Sequence, residues 1–576
     1  MKRVETIAKT QFAAMRLQAP TVAPPPPPQT FDLGLVTAGA VSGGAYQAGV
    51  MDFLVEALDR WYAAKAAGED VPQHDVRVRV VTGASAGGIN SALFAIVANW
   101  GYQPRRLDAE LSVWGEAARD KPSPFHSIWV DGIDIADLLT TDDLDGGQLP
   151  SLLNASYLEK VLVPQALRFE GVPIAEEQRP IRGWLADPLP VLLTVTNLKG
   201  VPYSLGFNTG ANNEFQADYQ MVLHKDFMAF KVEGVPGTPT PQDLNGLIDV
   251  PAPNSVTSAP WGHLGSAALA TAAFPVGLAP IALERPYEDY HYRIHYTDTE
   301  SQEVRFISPL PLPELYQFAN LDGGVMNNEP FDLARAVLFG RDAGEISDGA
   351  VVDRGVLLLE AFPRTAELFE NLQPNMVESV MRMVSSQIEQ ARFKMEDLIF
   401  AARDDVFSRF LIQPIRPDAT DPGKLTLASA PLSAFFGFFS RDFREHDFQL
   451  GRRNCQDFLR HRLKLPPVNP VLGAAAKADA DGLVPLIPLV GPCAKEEPIP
   501  EWPAGRFAVT PTLAQAIEKR LDKVGDYVIR QYLDNNWLVR RVWLGVPFVT
   551  QGIKKKVLAY IDRTLKTAAK EIDEAS

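Results

Sequence analysis

A chain of 576 residues exceeds the size at which one hydrophobic core stops growing, so it holds either a large elaborated domain or two domains. Hydrophobic content of 46% with 22% charged residues excludes disorder of the whole chain, and a net charge of -16 excludes general nucleic-acid binding, because the average surface repels phosphate. Two cysteines, Cys455 and Cys493, cannot build a disulfide framework, so a reducing cytoplasmic setting is expected, with no metal site and no cofactor.

Residues 1–30 read as a leader and linker. Met1 to Pro20 carries basic residues but no continuous apolar core of signal-peptide length, and nowhere does the chain reach the ~18 apolar residues of a spanning helix. Ordinary export is therefore not expected. The five prolines Pro24 to Pro28 should form an extended polyproline spacer. Phe31 to Ala38 is the first predicted strand. It empties into Gly39-Ala40-Val41-Ser42-Gly43-Gly44, ahead of a helix carrying Val50, Phe53, Leu54, Ala57 and Trp61. Such a small-residue loop can offer bare N–H groups to a phosphate or to an oxyanion. It lacks the Lys-Ser/Thr ending of a nucleotide-binding loop and does not fit GxGxxG.

The most informative stretch is Val76 to Trp100. Val76, Val78, Val80 and Val81 make a β-branched run, and Ile89, Leu93, Ile96 and Val97 recur at helical spacing. Between them Gly83-Ala84-Ser85-Ala86-Gly87 has the form of a nucleophile elbow, in which Gly83 and Gly87 let strand and helix close around an exposed serine hydroxyl. Residues 101–190 read as an elaboration laid across the sheet. Strands are then expected at Val191 to Thr196 and His224 to Val232, an Ala-rich helix at Leu264 to Ala273, and a strand leading into Asp322-Gly323-Gly324. An aspartate at a strand exit can reach a serine on another strand, although Asp-Gly is also common in plain turns. A helix from Phe331 and a strand at Val356 to Ala361 follow. This β/α alternation predicts an α/β fold with a mostly parallel central sheet and helices on both faces.

Beyond Pro363 the pattern turns largely helical. An amphipathic helix is expected over 375–398, then a short strand at Phe410 to Ile412. The aromatic run Ala434 to Phe439 introduces a charged and aromatic segment that suits a packed surface or a substrate groove, and residues 466–503 read as loop. Near the end, Leu513, Ile517, Leu521, Val524, Val528 and Tyr532 form one helical stripe, and Ile553, Val557, Ile561, Leu565 and Ala568 another. Lys519 to Lys570 holds 12 Lys/Arg against 4 Asp/Glu, so this region is basic within an acidic chain. A peripheral membrane contact is expected through the second stripe.

Three stretches together resemble the patatin-like phospholipase family. Leu33 to Val50 is similar to its glycine-rich oxyanion loop, Gly83 to Gly87 to its nucleophile elbow, and Asp322 to Pro330 to its Asp-Gly-Gly motif; Ala270 to Pro280 is similar to the segment preceding that motif. The resemblance implies a catalytic domain over 31–363, followed by a mainly helical region over 364–576. It also implies a metal-free lipid acyl hydrolase with a phospholipid or related ester as substrate. Ser85 would be the nucleophile, Asp322 its base in a dyad without histidine, and Gly39, Ala40 and Val41 the oxyanion loop. Two departures stand out: Ala40 and Val41 replace family glycines, and Gly43 replaces a family arginine. The competing readings are an α/β-hydrolase triad completed by His446 or His461, and a non-catalytic lipid-binding or interaction protein on the same fold.

Overall fold

The computed structural model describes residues 22–107, 110–145, 149–163, 181–207, 216–234, 237–240, 244, 246–251, 259–292, 295–297, 303–305, 313–340, 344–362, 403, 405–416, 426–430, 435–473, 477–503, 509–533 and 547–575, with a few positions between 372 and 391. The helix expected over 375–398 falls almost wholly outside them.

Among the described residues nine strands form the central sheet. They are β1 (Thr30–Thr37), β2 (Asp75–Gly83), β3 (Leu189–Phe207), β4 (Gln216–Val232), β5 (Ile248–Val250), β6 (Ile281–Pro286), β7 (Leu315–Asp322), β8 (Arg354–Leu359) and β9 (Arg409–Ile412). Their order is β9-β8-β1-β2-β3-β7-β6, with β4 paired to β3 and β5 to β4. The run from β9 to β3 is parallel throughout, and β3, β7 and β6 continue it antiparallel. The expected mostly parallel sheet is present.

The helices that flank it are α1 (Gly44–Ala66), α2 (Ala86–Val97), α3 (Ala259–Thr271) and α4 (Phe331–Phe339). Every residue of β1 is buried, as a central strand covered on both faces must be. Phe31, Leu33 and Leu35 join the core under α1 and α2, whereas Val36 joins the core under α4. In β2 a bulge interrupts the alternation. Leu33 pairs with Val78 but Gly34 with Val80, so Arg79 is the extra residue, and Val80 and Val81 point to opposite cores. Gly34 has no room for a side chain, since a Cβ there would stand 2.9 Å from Leu338 of α4.

Residues beyond 363 complete this layer. Strand β9 extends the parallel sheet, and helix α5 (Arg441–His461), formed by the charged and aromatic segment, lies across α1. The two helices touch backbone to backbone. A Cβ on Gly49 would fall on the Phe448 carbonyl oxygen, and one on Gly451 on that of Tyr46. Beside this crossing the fully buried Arg452 pairs with Asp52, with Glu56 at 2.7 Å and with Glu497 at 3.0 Å. Arg106 adds a second guanidinium, 3.1 Å from Glu56.

The last two helices, α6 (Pro511–Leu533) and α7 (Pro547–Ala575), turn their apolar stripes inward. Ile517 packs with Ile135 and Leu139, joined by Val557 and Ile561, while Leu565 is 3% exposed among Phe436, Phe443 and Ala428. This corrects the expectation that the second stripe faces a membrane: protein covers it at Val557, Ile561 and Leu565. The physical reason is that the phenylalanines of 436–443, with Leu513 and Ile517 of α6, supply an apolar surface for it within the fold. The side chains of Ile553 and Ala568 lie outside the described set. Arg520 fastens α6 by pairing with both oxygens of Asp143 and donating to the Leu152 and Ser151 carbonyls.

Because Arg452 neutralises three buried carboxylates, its loss strands them without water. Arg452→Ala is expected to lower stability by about 3–5 kcal/mol, read as a fall in the urea midpoint, with Gly451→Ala also destabilising because its new methyl meets backbone rather than a movable side chain.

Candidate active site

Register places the two key residues. Along one edge of β3, Gly83 of β2 lies opposite Leu193, and Asp322 of β7 lies opposite Val195. Strands β2 and β7 run in opposite senses along that edge, so their carboxyl ends meet head to head. The aspartate therefore does not reach across neighbouring parallel strands. It arrives from the opposite direction.

At the end of β2 the chain reverses through Ser85, which holds φ 53 and ψ -128. This left-handed conformation costs of order 1–3 kcal/mol in a non-glycine residue and is sustained by its surroundings. A Cβ on Gly83 would fall on the Gly87 carbonyl, and one on Gly87 on the Thr37 carbonyl, so β1, β2 and α2 converge only because both positions are glycine. The Thr37 hydroxyl lies 2.7 Å from the Gly87 carbonyl and 2.8 Å from the Ser91 hydroxyl, tying β1 to the turn. The Ser85 N–H donates to Thr271 Oγ1 at 2.9 Å, at the end of α3.

The Ser85 hydroxyl donates to Asp322 Oδ2 at 2.7 Å. Asp322 is 3% exposed and held on every side. Its N–H donates to the Ala273 carbonyl at 2.9 Å, its carbonyl accepts from the Thr196 hydroxyl at 2.8 Å, and Oδ1 accepts from the Gly324 N–H at 2.7 Å. Gly323 fits under this turn because a Cβ would fall on the Thr194 carbonyl. Burial pushes the Asp322 carboxyl up to about 7, against the opposing pull of the Ser85 and Gly324 hydrogen bonds. Desolvation wins because, among the described residues, no cation faces the carboxylate to offset it.

The loop Gly39 to Val41 passes beside the serine, a Cβ on Gly39 lying 3.2 Å from the Ser85 Cβ. Its three N–H groups differ. That of Gly39 donates to the Asn328 carbonyl at 3.1 Å, whereas among the described residues no protein acceptor takes those of Ala40 and Val41. Val41 sits at φ 46, a conformation natural to the glycine it replaces and strained for a β-branched residue. Gly43 stands where the resemblance led us to expect arginine, and its neighbour explains the change: a Cβ would overlap the Phe362 ring, whose Cζ lies 2.7 Å away. An aromatic ring fills the place of the cation. The 435–439 segment forms a further wall, with Phe435 edge-on to Phe274 at 5.8 Å and Gly437 against Ser42.

Neither histidine offered for a triad serves the serine. His446 is buried with Nδ1 2.8 Å from Asp447 and Nε2 2.7 Å from Arg416, so both ring nitrogens are engaged away from Ser85, and His461 lies at the exposed end of α5. Sequence reasoning missed Thr196, Thr271 and the Ala273 carbonyl as supports. The place of Thr271, closing the Ala-rich helix that leads into the Ala270 to Pro280 segment, was the one available signal. Both cysteines are buried and free, with burial raising their thiol pKa values.

The pattern of the patatin-like phospholipase family matches residues 35–335. An uncharacterized protein, y4iI of Sinorhizobium fredii (strain NBRC 101917 / NGR234), is 32% identical over 93% of this chain and 81% of its own length. The crystal structure of VipD from Legionella pneumophila aligns over 96% of this chain and 89% of that one, with 11% identity and a TM-score of 0.21, too low to carry an argument. The family match, whose range of 35–335 includes the loop, the elbow and the Asp-Gly-Gly turn, shows that this chain belongs to the patatin-like phospholipase family.

Proposed function

We propose that the chain is a serine lipid acyl hydrolase that cleaves carboxylic ester bonds of phospholipids or related lipids through a Ser85–Asp322 dyad. The observation that carries this reading is the 2.7 Å bond from the Ser85 hydroxyl to a buried carboxylate poised near neutrality. A base with its pKa near the working pH is both ionised and able to take a proton. Ser85 Oγ attacks the ester carbonyl as Asp322 accepts its proton. The tetrahedral oxyanion forms against the Ala40 and Val41 N–H groups and the N-terminus of α2. Its collapse breaks the ester bond, Asp322 returns the proton to the leaving alcohol, and water then releases the acyl group by the same exchange.

Phe362 in place of a cation, together with the aromatic wall of Phe274 and Phe435, supports an acyl-facing rather than anion-steering loop. A lipid surface would be met electrostatically. The outward face of α7 carries the exposed Lys555, Lys556, Arg563, Lys566 and Lys570, each able to contribute on the order of 1 kcal/mol at an anionic leaflet.

Ser85→Ala is expected to abolish turnover of a phospholipid or p-nitrophenyl ester and labelling by a fluorophosphonate. Asp322→Asn should lose ~10²–10⁴-fold in kcat because an amide cannot take the proton. An unreactive Ser85 in folded wild-type protein would favour a non-catalytic lipid-binding role.

The rate should rise with pH through about 7 as Asp322 ionises. Stability should move the other way. The folded carboxyl keeps its proton up to about 7 and the unfolded one only to its ordinary value of 3.8, so the folded state binds more protons across that window and loses stability as pH rises. Asp322→Asn is accordingly expected to melt higher than wild type at pH 8, with the difference closing near pH 4. Equal melting shifts at both pH values would count against the raised carboxyl.

Liposome co-sedimentation is expected to need anionic lipid, to fall with added salt and to weaken in Lys555→Glu/Lys556→Glu. Binding indifferent to all three would remove the electrostatic contact.

A further inference from the structure

Asn328 lies six residues beyond Asp322 and joins the two halves of the site. Its carbonyl holds the Gly39 N–H, and its own N–H donates to the Ala391 carbonyl at 3.2 Å. The side chain is 3% exposed, yet among the described residues its Nδ2 has no hydrogen-bond partner, a rare condition for a buried amide. Two glycines locate it. A Cβ on Gly39 would fall on Asn328 Oδ1 while standing 3.2 Å from the Ser85 Cβ, and a Cβ on Gly324 would stand 2.5 Å from Asn328 Oδ1 and 3.0 Å from Asp322 Oδ1. The Oδ1 end of the amide therefore lies beside the dyad, against Gly39 of the loop and Gly324 of the aspartate turn, and both glycines leave room for it.

Leaving a buried amide donor unbonded is unfavourable by about 1–3 kcal/mol, so such a group persists where something transient uses it. Here the need is visible. The loop expected to offer three N–H groups to an oxyanion offers two, because the Asn328 carbonyl takes the one from Gly39. The atom placed against the two glycines is Oδ1, but among the described residues no hydrogen bond fixes which end of the amide faces the dyad. With Asp322 ionised, an amide carbonyl beside it is repelled and an NH2 group attracted, so charge at the dyad favours turning the donor inward.

We propose that Asn328 is a third oxyanion donor, its Nδ2 hydrogen-bonding the negative oxygen that forms when Ser85 attacks the ester carbonyl. This rests on the dyad reading and extends it. No atom is transferred to or from Asn328. The electron pair displaced from the carbonyl π bond settles on oxygen, the amide stabilises it there, and the donor is released when the tetrahedral intermediate collapses. The contact is made in the transition state and not with ground-state substrate, so it acts on kcat rather than KM.

The test uses the full chain with Asn328→Asp, nearly isosteric but without the donor, and Asn328→Ala. Each is measured for kcat and KM on a p-nitrophenyl ester, for the rate of fluorophosphonate labelling and for melting temperature. Removing one oxyanion donor typically lowers kcat ~10²–10³-fold, and that loss is expected in both variants, with KM within a few-fold and a parallel fall in labelling rate. Folded variants with kcat near wild type, or a loss confined to KM, overturn the proposal while leaving the dyad intact. Collapse of both variants in the melting measurement assigns Asn328 to the fold instead. Wild-type protein that neither turns over ester nor labels at Ser85 overturns the dyad, and this donor with it.

Discussion

Strands β2 and β7 run toward each other along one edge of β3 and stop two β3 residues apart, at Leu193 and Val195. Everything chemical in the molecule depends on that collision of strand ends. A sheet is a stiff frame for two side chains, because Asp322 ends one strand ladder and Ser85 stands two residues past the end of another. The serine turn then needs close convergence of β1, β2 and α2, which Gly83 and Gly87 permit. The aspartate turn needs Gly323 to slip under Thr194, which leaves the carboxylate buried beside a hydroxyl and a single backbone N–H. Burial without a counter-cation is what distinguishes this carboxyl from those of the α1 and α5 crossing. There, three carboxylates share two guanidiniums and serve to lock helices together.

The site was legible in the sequence because its requirements are local. A strand, a Gly-x-Ser-x-Gly turn and a helix announce themselves within 25 residues, and Asp322-Gly323-Gly324 reads as a turn from its own three residues, although the contact that demands Gly323 comes from distant Thr194. The α/β alternation was legible for the same reason. What did not show was how distant segments meet. Nothing in Leu315 to Asp322 says that this strand runs against β3 rather than with it, since pairing sense is settled by the connection and not by composition. The support that Thr271 gives to Ser85 spans 186 residues and rests on one hydroxyl.

Helix α5 is the clearest case. Read by hydropathy, Arg441 to His461 is a polar segment, and yet Arg444, His446, Asp447, Arg452 and Gln456 are all buried. Periodicity arguments treat charge as a mark of the surface. Here charges are buried because they neutralise one another across two helices 400 residues apart in sequence. The stripe of α7 misleads in the complementary way. Its amphipathic spacing correctly requires an apolar partner, but a lipid bilayer and the aromatic segment at Phe436 to Phe443 satisfy the same spacing, and only the folded chain discriminates.

The crossing of α1 and α5 bears on how this molecule can be divided. A fragment ending with the last recognisable family motif would carry Asp52 and Glu56 on α1 with no Arg452 to neutralise them. It would also expose the backbone at Gly49 that α5 is shaped to cover, and, lacking β8, leave β1 as a bare sheet edge. Such a fragment would be an adhesive, misfolding-prone half rather than a minimal enzyme. Length that looks like an appendage is thus part of the scaffold, and gene fusions or truncations aimed at the catalytic half alone would have to replace its counter-charge as well as its packing.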